Sequence, residues 1–218
     1  MTRFPEDRPF PITIDGPASS GKSTIGALLA TDLELPILDT GLLYRAVGQQ
    51  VGADGADDAA KAATAARELD VARLGDPELR TERVGALASR VGALPAVRDA
   101  LLGLQTSFAE TFGGGILVGR DTGSVVCPWA PCKLFVTASV EARAQRRFEQ
   151  LRARREPVIH SSVLAELRRR DERDAARVVA PLVVPPDALV IDTTDMTVAL
   201  ALSSARSFID ESVVRARH

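Results

Sequence analysis

Short unbroken apolar runs that end in a turn or an acidic residue recur along the chain, and longer stretches with helical spacing fill the gaps between them. A strand covered on both faces reads as continuous Val/Ile/Leu rather than as alternation, and strand–helix alternation of this kind builds a parallel sheet. Five strands are predicted, at 11–15, 36–39, 115–119, 133–137 and 188–192, carried by P-I-T-I-D, P-I-L-D, I-L-V-G, L-F-V and A-L-V-I-D. Helices are predicted near 22–33, 41–52, 97–111, 140–154, 161–176 and 197–213. Residues 53–96 break this rhythm: they are rich in Ala, Gly and Asp, carry no strand signal, and are far too long for an ordinary connection, so an inserted helical subdomain is predicted. Pro181, Pro185 and Pro186 mark the end of a helix and the approach to the last strand.

A chain of 218 residues with 45% hydrophobic and 26% charged residues suits one compact α/β domain, read as 1–218, and excludes a disordered tail or a repeat array. Its net charge of −2 supplies no global positive field for nucleic acid or anionic lipid, so neither is an expected partner. No run of about 20 apolar residues offers a membrane span, and M-T-R-F-P-E-D-R lacks the layout of a secretion signal; a cytoplasmic, monomeric protein is expected. Cys127 and Cys132 are too few for a disulfide framework or a structural zinc, and are read as packed thiols. With His160 and His218 the only histidines, chemistry centred on a histidine base is disfavoured.

The sharpest motif is Gly16-Pro17-Ala18-Ser19-Ser20-Gly21-Lys22-Ser23, which fits G-x-x-x-x-G-K-[ST] between a predicted strand and a predicted helix. Glycines let such a loop turn its amides inward, and the following helix adds the positive end of its dipole, so a polyphosphate is held largely by backbone N–H groups. Lys22 is one of only three lysines against 24 arginines, and its ammonium suits the β- and γ-phosphates. The Ser23 hydroxyl suits Mg²⁺, the expected cofactor, and triphosphate binding alone fits switches, motors and kinases. Gly16, Pro17, Ala18, Ser19, Ser20, Gly21, Lys22, Ser23 and Thr24 are the candidate ATP-contacting residues. A regulatory GTPase would need a guanine-reading N-K-x-D segment, and Lys133 in P-C-K-L-F offers none.

Ligands of open α/β sheets bind beyond the carboxyl ends of the strands. Two of these ends, L-D-T-G-L-L-Y-R at 38–45 and G-R-D-T-G at 119–123, each bring an Arg and an Asp, which suits an anionic acceptor or, equally, a pair of surface ion pairs. In a third cluster, Arg170, Asp174 and Arg177 stand at i, i+4 and i+7 of a predicted helix and share one face. That face fits a grip on sugar and phosphate, or a solvated charge-laced helix. Residues 141–177 hold 11 Arg against 7 acidic residues, an excess suited to a basic flap over a triphosphate.

In order, I-T-I-D-G-P-A-S-S-G-K-S-T, L-D-T-G-L-L-Y-R, A-S-R-V-G-A-L-P-A-V-R, G-R-D-T-G-S-V-V-C-P-W-A-P-C-K-L-F-V-T-A-S and R-D-E-R-D-A-A-R-V-V-A-P-L resemble the bacterial-type cytidylate kinases, nucleoside monophosphate kinases of the P-loop fold, nearly end to end. The resemblance implies transfer of the ATP γ-phosphoryl group to CMP and dCMP. It implies a three-layer α/β fold with a five-stranded parallel sheet, a helical CMP-binding insert at 53–96 and a short lid at 143–160. Carried over by position, it implies Thr40, Tyr44, Arg45 and Arg120 along the acceptor phosphate, and Ser89, Arg98 and Asp121 around the cytosine. Arg170 and Asp174 address the ribose, Arg177 the nucleotide's phosphate side. Cytosine, with an N4 donor and O2/N3 acceptors, wants one carboxylate and one guanidinium, which Asp121 and Arg98 supply. Two positions depart from the family pattern: Thr40 stands where Ser is usual, and Val118 where Asp is frequent, leaving Asp121 either on cytosine or on a magnesium-bound water.

Phosphoryl transfer through a loose transition state asks mainly for positioning and charge neutralisation. Lys22, Arg120, Asp121, Arg143 and Arg147 are therefore the candidate catalytic residues, the last two as lid arginines. The alternatives are a P-loop kinase of another small acceptor, such as a different monophosphate or shikimate, and a non-catalytic ATP-binding regulatory protein.

Overall fold

A computed structural model of the chain describes residues 4, 5, 7–111, 113–177 and 179–217; Val178, within the A-A-R-V-V-A-P-L stretch, and His218 lie outside them. Two compact units form, one from the residues up to Ile37 together with those from Ala109 onward, the other from Leu38 to Phe108.

The first unit carries the sheet except for Leu38 and Asp39 of its edge strand, which belong to the second. β1 (Pro11–Asp15), β2 (Ile37–Asp39), β3 (Gly115–Gly119), β4 (Cys132–Thr137) and β5 (Leu189–Asp192) lie in the order β2-β3-β1-β4-β5. β1 pairs in parallel with β3 from Pro11↔Gly115 to Asp15↔Gly119, and with β4 from Ile12↔Cys132 to Asp15↔Phe135. β4 pairs in parallel with β5 from Leu134↔Leu189 to Thr137↔Asp192. Pro36, placed in β2 by its apolar run, stands just outside the strand; it has no N–H to give, and its carbonyl accepts from the Ile116 amide at 2.9 Å. Parallel registers bring Asp15, Gly119, Thr137 and Asp192 to one edge, so the residues after them emerge side by side.

One face of the sheet is sealed by α1 (Lys22–Leu33) and α8 (Val198–Ala216). Ile25, Leu29 and Leu33 from α1 and Ala201, Ala205 and Ile209 from α8 pack on Ile12, Ile14, Ile116, Leu134 and Val136. Side chains alternate along a strand, so Thr13 and Asp15 point to the other face. There a single π-helical turn, Thr122–Val126, lies on β1. α6 (Val140–Ala153) and α7 (His160–Ala175) form an antiparallel pair around Ala144, Leu151, Val163 and Leu167, with Ala18 of the phosphate loop in the same cluster. The predicted lid segment, 143–160, is thus mostly α6, with a short non-helical link at 154–159 before α7.

The second unit is helical: α2 (Thr40–Gly55), α3 (Ala59–Arg67), α4 (Glu82–Val91) and α5 (Pro95–Ala109), with two 3₁₀ turns at Val71–Gly75 and Pro77–Arg80. α2 breaks at Gly52, which adopts φ 68° and ψ −173°, the position where the sequence pattern ends its helix. Leu43, Val47, Val51, Ala62, Leu87, Val91, Val97 and Leu101 make the core of this unit. Asp39, Asp58, Asp70, Asp76 and Thr81 each cap the turn or helix that follows, which is how an Asp- and Ala-rich stretch without strand signal stays ordered. Among the described residues, no helix is long and apolar enough to cross a membrane.

Candidate active site

In the sheet unit, the phosphate loop leaves β1 through Gly16, and both its strain and its crowding explain the glycine. Its φ is 148°, and a Cβ there would lie 2.0 Å from the Val136 carbonyl oxygen. Ser19 and Gly21 also have positive φ, 60° and 95°. Gly21 is the N-cap of α1 and provides no capping side chain, and the first amides of any helix lack an acceptor within it. Ser20 Oγ is buried with no hydrogen-bond partner.

Carbonyls that point away from a cradle of amides must find donors elsewhere, and here each has its own. Arg120 Nη1 donates to Gly16 O at 3.0 Å, Lys22 Nζ to Pro17 O at 3.0 Å, Arg143 Nη1 to Ala18 O at 3.3 Å and Thr193 Oγ1 to Ser20 O at 3.0 Å. Those donors come from the turn after β3, from α1, from α6 and from the turn after β5. Each is held in turn. Asp171 accepts a two-pronged contact from Arg143 at 3.1 and 2.7 Å, and Ala138 O accepts from Arg143 Nε at 2.9 Å. Arg146 donates to Thr193 Oγ1 at 2.9 Å and to the Thr193 carbonyl. Arg147, one turn further on, reaches Gln150 at 3.5 Å and stands outside this set.

At Asp174 the helix face is not solvated. The residue is buried, and its carboxylate accepts from Arg120 Nε at 2.8 Å and Arg177 Nη2 at 2.6 Å. Burial alone raises its pKa, but the charges of Arg120, Arg177 and Arg170 outweigh that and hold it below the usual carboxylate range. The helix α7 ends at Ala175, so Arg177 lies just past it yet still turns back onto Asp174. Arg120, Asp174, Arg170 and Arg177 therefore form one network that touches the phosphate loop through Gly16.

Asp121 is buried beside Thr122 at the start of the π turn. Val118 is fully buried in the apolar core, and a Cβ on Gly26 of α1 would lie 2.6 Å from its Cγ2. A carboxylate there would be desolvated against α1, which accounts for the valine. Cys127 and Cys132 are buried and their thiols are pushed up to about 12 by that burial, so both pack as inert groups.

In the helical unit, α4 meets α2 through small residues. A Cβ on Gly85 would lie 2.8 Å from Arg45 Nη2, and Arg45 Nη1 donates to Leu79 O at 2.6 Å and Thr81 O at 2.9 Å. Further along the same helix, Ser89 is buried and its Oγ has no hydrogen-bond partner. Arg98, buried on α5, donates to Gly92 O at 3.3 Å and stacks its guanidinium 5.6 Å from the Tyr44 ring centroid. Thr40 is buried at the first position of α2, whose N-cap Asp39 accepts from the Gly41 amide at 3.1 Å. Tyr44 and Arg98 thus stand together in this unit, with Arg45 anchored on the 3₁₀-turn carbonyls.

The donor set fits magnesium triphosphate. The uncapped start of α1, the orphan Ser20 hydroxyl and Lys22 suit phosphate oxygens, with Ser23 exposed at the helix start. Among the described residues there is no group of three or more His, Cys, Asp or Glu that could hold a metal ion. Three residues that the motifs do not announce, Arg146, Asp171 and Thr193, hold the cradle together, and a fourth, Asp15, ties its root.

A family model described as cytidylate kinase matches residues 12–207. The chain is 48% identical over 208 residues to a cytidylate kinase from Caulobacter sp. (strain K31), covering 94% of this chain and 96% of that one. It is 52% identical over 200 residues to the cytidylate kinase of Xanthobacter autotrophicus, covering 91% and 96%. It is also 52% identical over 200 residues to that of Rhodospirillum rubrum, covering 89% and 94%. With a family model spanning most of the chain and relatives this similar along nearly their whole length, the chain belongs to the cytidylate kinase family.

Proposed function

We propose that the chain transfers the γ-phosphoryl group of ATP to CMP and dCMP, yielding ADP with CDP or dCDP. The observation that carries this reading is the phosphate loop whose Gly16, Pro17, Ala18 and Ser20 carbonyls each accept from a side chain, in a chain of this family. A cradle whose amides are pre-aimed stabilises charge without reorganising during the reaction, the largest single contribution in most catalysts.

The acceptor needs no base. A nucleoside monophosphate has a second pKa near 6 and is already a dianion at neutral pH. By the family pattern, Arg120, Arg45, Thr40 and Tyr44 are the residues assigned to that phosphate. Ser89 and Arg98 offer a hydroxyl and a guanidinium to cytosine O2 and N3, and Asp121 offers an acceptor to the N4 amino group. Arg170 and Asp174 address the ribose, Arg177 the phosphate side. Lys22 leaves Pro17 O for the transferring phosphoryl group; Arg143, expected from the sequence to close as a lid arginine, is buried on Asp171 and Ala18 O and holds the loop instead, which leaves Arg147 as the lid arginine. Ser23 would hold Mg²⁺, with Thr24 beside the triphosphate at the start of α1, and the ion would supply neutralisation of phosphate charge.

The deciding experiment is a coupled ADP assay of the purified protein with Mg·ATP against CMP, dCMP, UMP, AMP and shikimate. CMP and dCMP are expected to dominate; a higher kcat/KM for shikimate or AMP would reassign the acceptor. In the same assay Arg98→Met raises the KM for CMP by about tenfold or more and leaves that for ATP within about twofold. Equal changes in both remove Arg98 from base recognition.

A further inference from the structure

We propose that Asp15 is a positioning residue for phosphoryl transfer: its carboxylate clamps the turn after β3, and so sets Arg120 and Asp121 against the root of the phosphate loop. The inference rests on the acceptor-side roles proposed above for those two residues.

Asp15 is the last residue of β1 and directly precedes Gly16. It is 1% exposed, and both its oxygens are committed to one turn. Oδ1 accepts from the Thr122 amide at 2.9 Å and from Thr122 Oγ1 at 2.8 Å, and Oδ2 accepts from the Gly123 amide at 2.7 Å. All three of these hydrogen bonds come from residues 122 and 123.

The turn that it holds needs an outside partner. The Val125 and Val126 amides both donate to Asp121 O, at 2.9 and 3.2 Å, and the Cys127 amide donates to Thr122 O at 2.8 Å. A single π turn leaves the amides of its first residues without internal acceptors, and the residue before it, Asp121, gives no side-chain cap. Asp15 supplies that cap from a different strand, and its negative charge sits at the positive end of the turn.

Only a carboxylate matches three donors. Asparagine has one acceptor oxygen and would turn an NH₂ toward the Gly123 amide, while Ser or Thr offers a single hydroxyl. The turn is also pressed flat on β1, since a Cβ on Gly123 would lie 2.7 Å from Thr13 Oγ1 and 3.4 Å from both Asp15 Oδ2 and Lys133 Cδ. Burial lifts the Asp15 carboxyl to about 6, with the neighbouring Asp121 charge acting in the same direction. A buried ion is a costly way to fix a turn, and a site where geometry matters is where such a cost is retained.

What the clamp positions follows from the chain. Arg120 and Asp121 lie between β3, which is in register with Asp15 at Gly119, and the clamped residues 122 and 123. With both ends fixed, Arg120 reaches Gly16 O at 3.0 Å and Asp174 at 2.8 Å. One carboxylate thus ties the acceptor-side arginine and the donor-side loop to a common point.

The test compares Asp15→Asn, Thr122→Val, Thr122→Ser and Arg120→Met. For each, kcat and KM for CMP are measured at saturating Mg·ATP, and Mg·ATP affinity is measured without CMP using a fluorescent ATP analogue. Asp15→Asn is expected to lower kcat/KM for CMP by about 30-fold or more, with ATP-analogue affinity within about threefold. Thr122→Val, which keeps both amide bonds, loses about fivefold, and Thr122→Ser recovers to within about twofold. A clamp that serves only folding moves the melting temperature and leaves these constants of the folded enzyme unchanged. Unaltered kcat/KM in a folded Asp15→Asn, or equal losses for CMP and ATP, overturns the proposal. If Asp15→Asn does not fold, Thr122→Val read against Thr122→Ser decides by the same split. Arg120→Met separates the two levels: if it spares CMP kinetics, the acceptor-side reading itself falls. A damaged Arg120→Met beside an unaffected Asp15→Asn removes only the role of Asp15.

Discussion

At Lys22 the ammonium rests 3.0 Å from Pro17 O, a neutral acceptor that gives way readily to a phosphate oxygen. Lys22→Ala is expected to lower kcat by about two orders of magnitude or more while the protein keeps its cooperative melt, because the lost charge acts chiefly on the transition state. Normal turnover in a well-folded Lys22→Ala protein contradicts the role. Lys22 and the loop around it were legible in the sequence because the motif is local: eight consecutive residues carry both the geometry and the charge. Thr193 and Asp15 were not. Thr193 caps a carbonyl 173 residues away, and Asp15 binds a turn 107 residues away, so nothing near either residue announces its partner. Asp15 also ends a strand as many acidic residues do, which disguised a buried carboxylate as a surface one. Val118 is the converse case, a departure from the family pattern that its packing against Gly26 explains.

Among the elements, α7 draws its significance from its last turn. Its spacing predicted Arg170, Asp174 and Arg177 on one face but left open whether that face was solvated. What decided it is the burial of Asp174 and the arrival of Arg120 from β3, neither of which has a sequence signature. Asp174→Asn leaves Arg120 and Arg177 facing a neutral amide in a buried place, and is expected to cost about 3–5 kcal/mol in urea denaturation. A loss below about 1 kcal/mol would mean that the network is no stronger than a surface ion pair. Strands β1 and β3 match the predicted limits because continuous apolar runs bounded by Gly and Asp leave little freedom. The π turn Thr122–Val126 escaped because one turn has no periodicity to detect. Helix α2 was legible to its break, Gly52 being the residue best able to hold a positive φ.

For the molecule as a whole, Asp15 and the paired carboxylates pull stability in opposite directions with pH. The Asp15 carboxyl titrates near 6, above its ordinary 3.8, so its ionised form is penalised in the fold; the penalty is full above pH 6 and relieved as pH falls toward 3.8. That relief is worth on the order of 3 kcal/mol. Asp174, Asp187 and Asp192 are held below their ordinary values, so the stability they contribute persists above pH 3.8 and is lost only in stronger acid. Thermal melts between pH 8 and 4.5 are expected to shift upward toward acid in the wild type and to flatten in Asp15→Asn; parallel profiles would remove Asp15 as the source. The four carbonyl caps have a further consequence during synthesis. Their donors stand at 22, 120, 143 and 193, so the cradle acquires its last support only when residue 193 has left the ribosome and paired beside β4. A nascent chain short of that point has its motif but lacks the Thr193 cap on the Ser20 carbonyl.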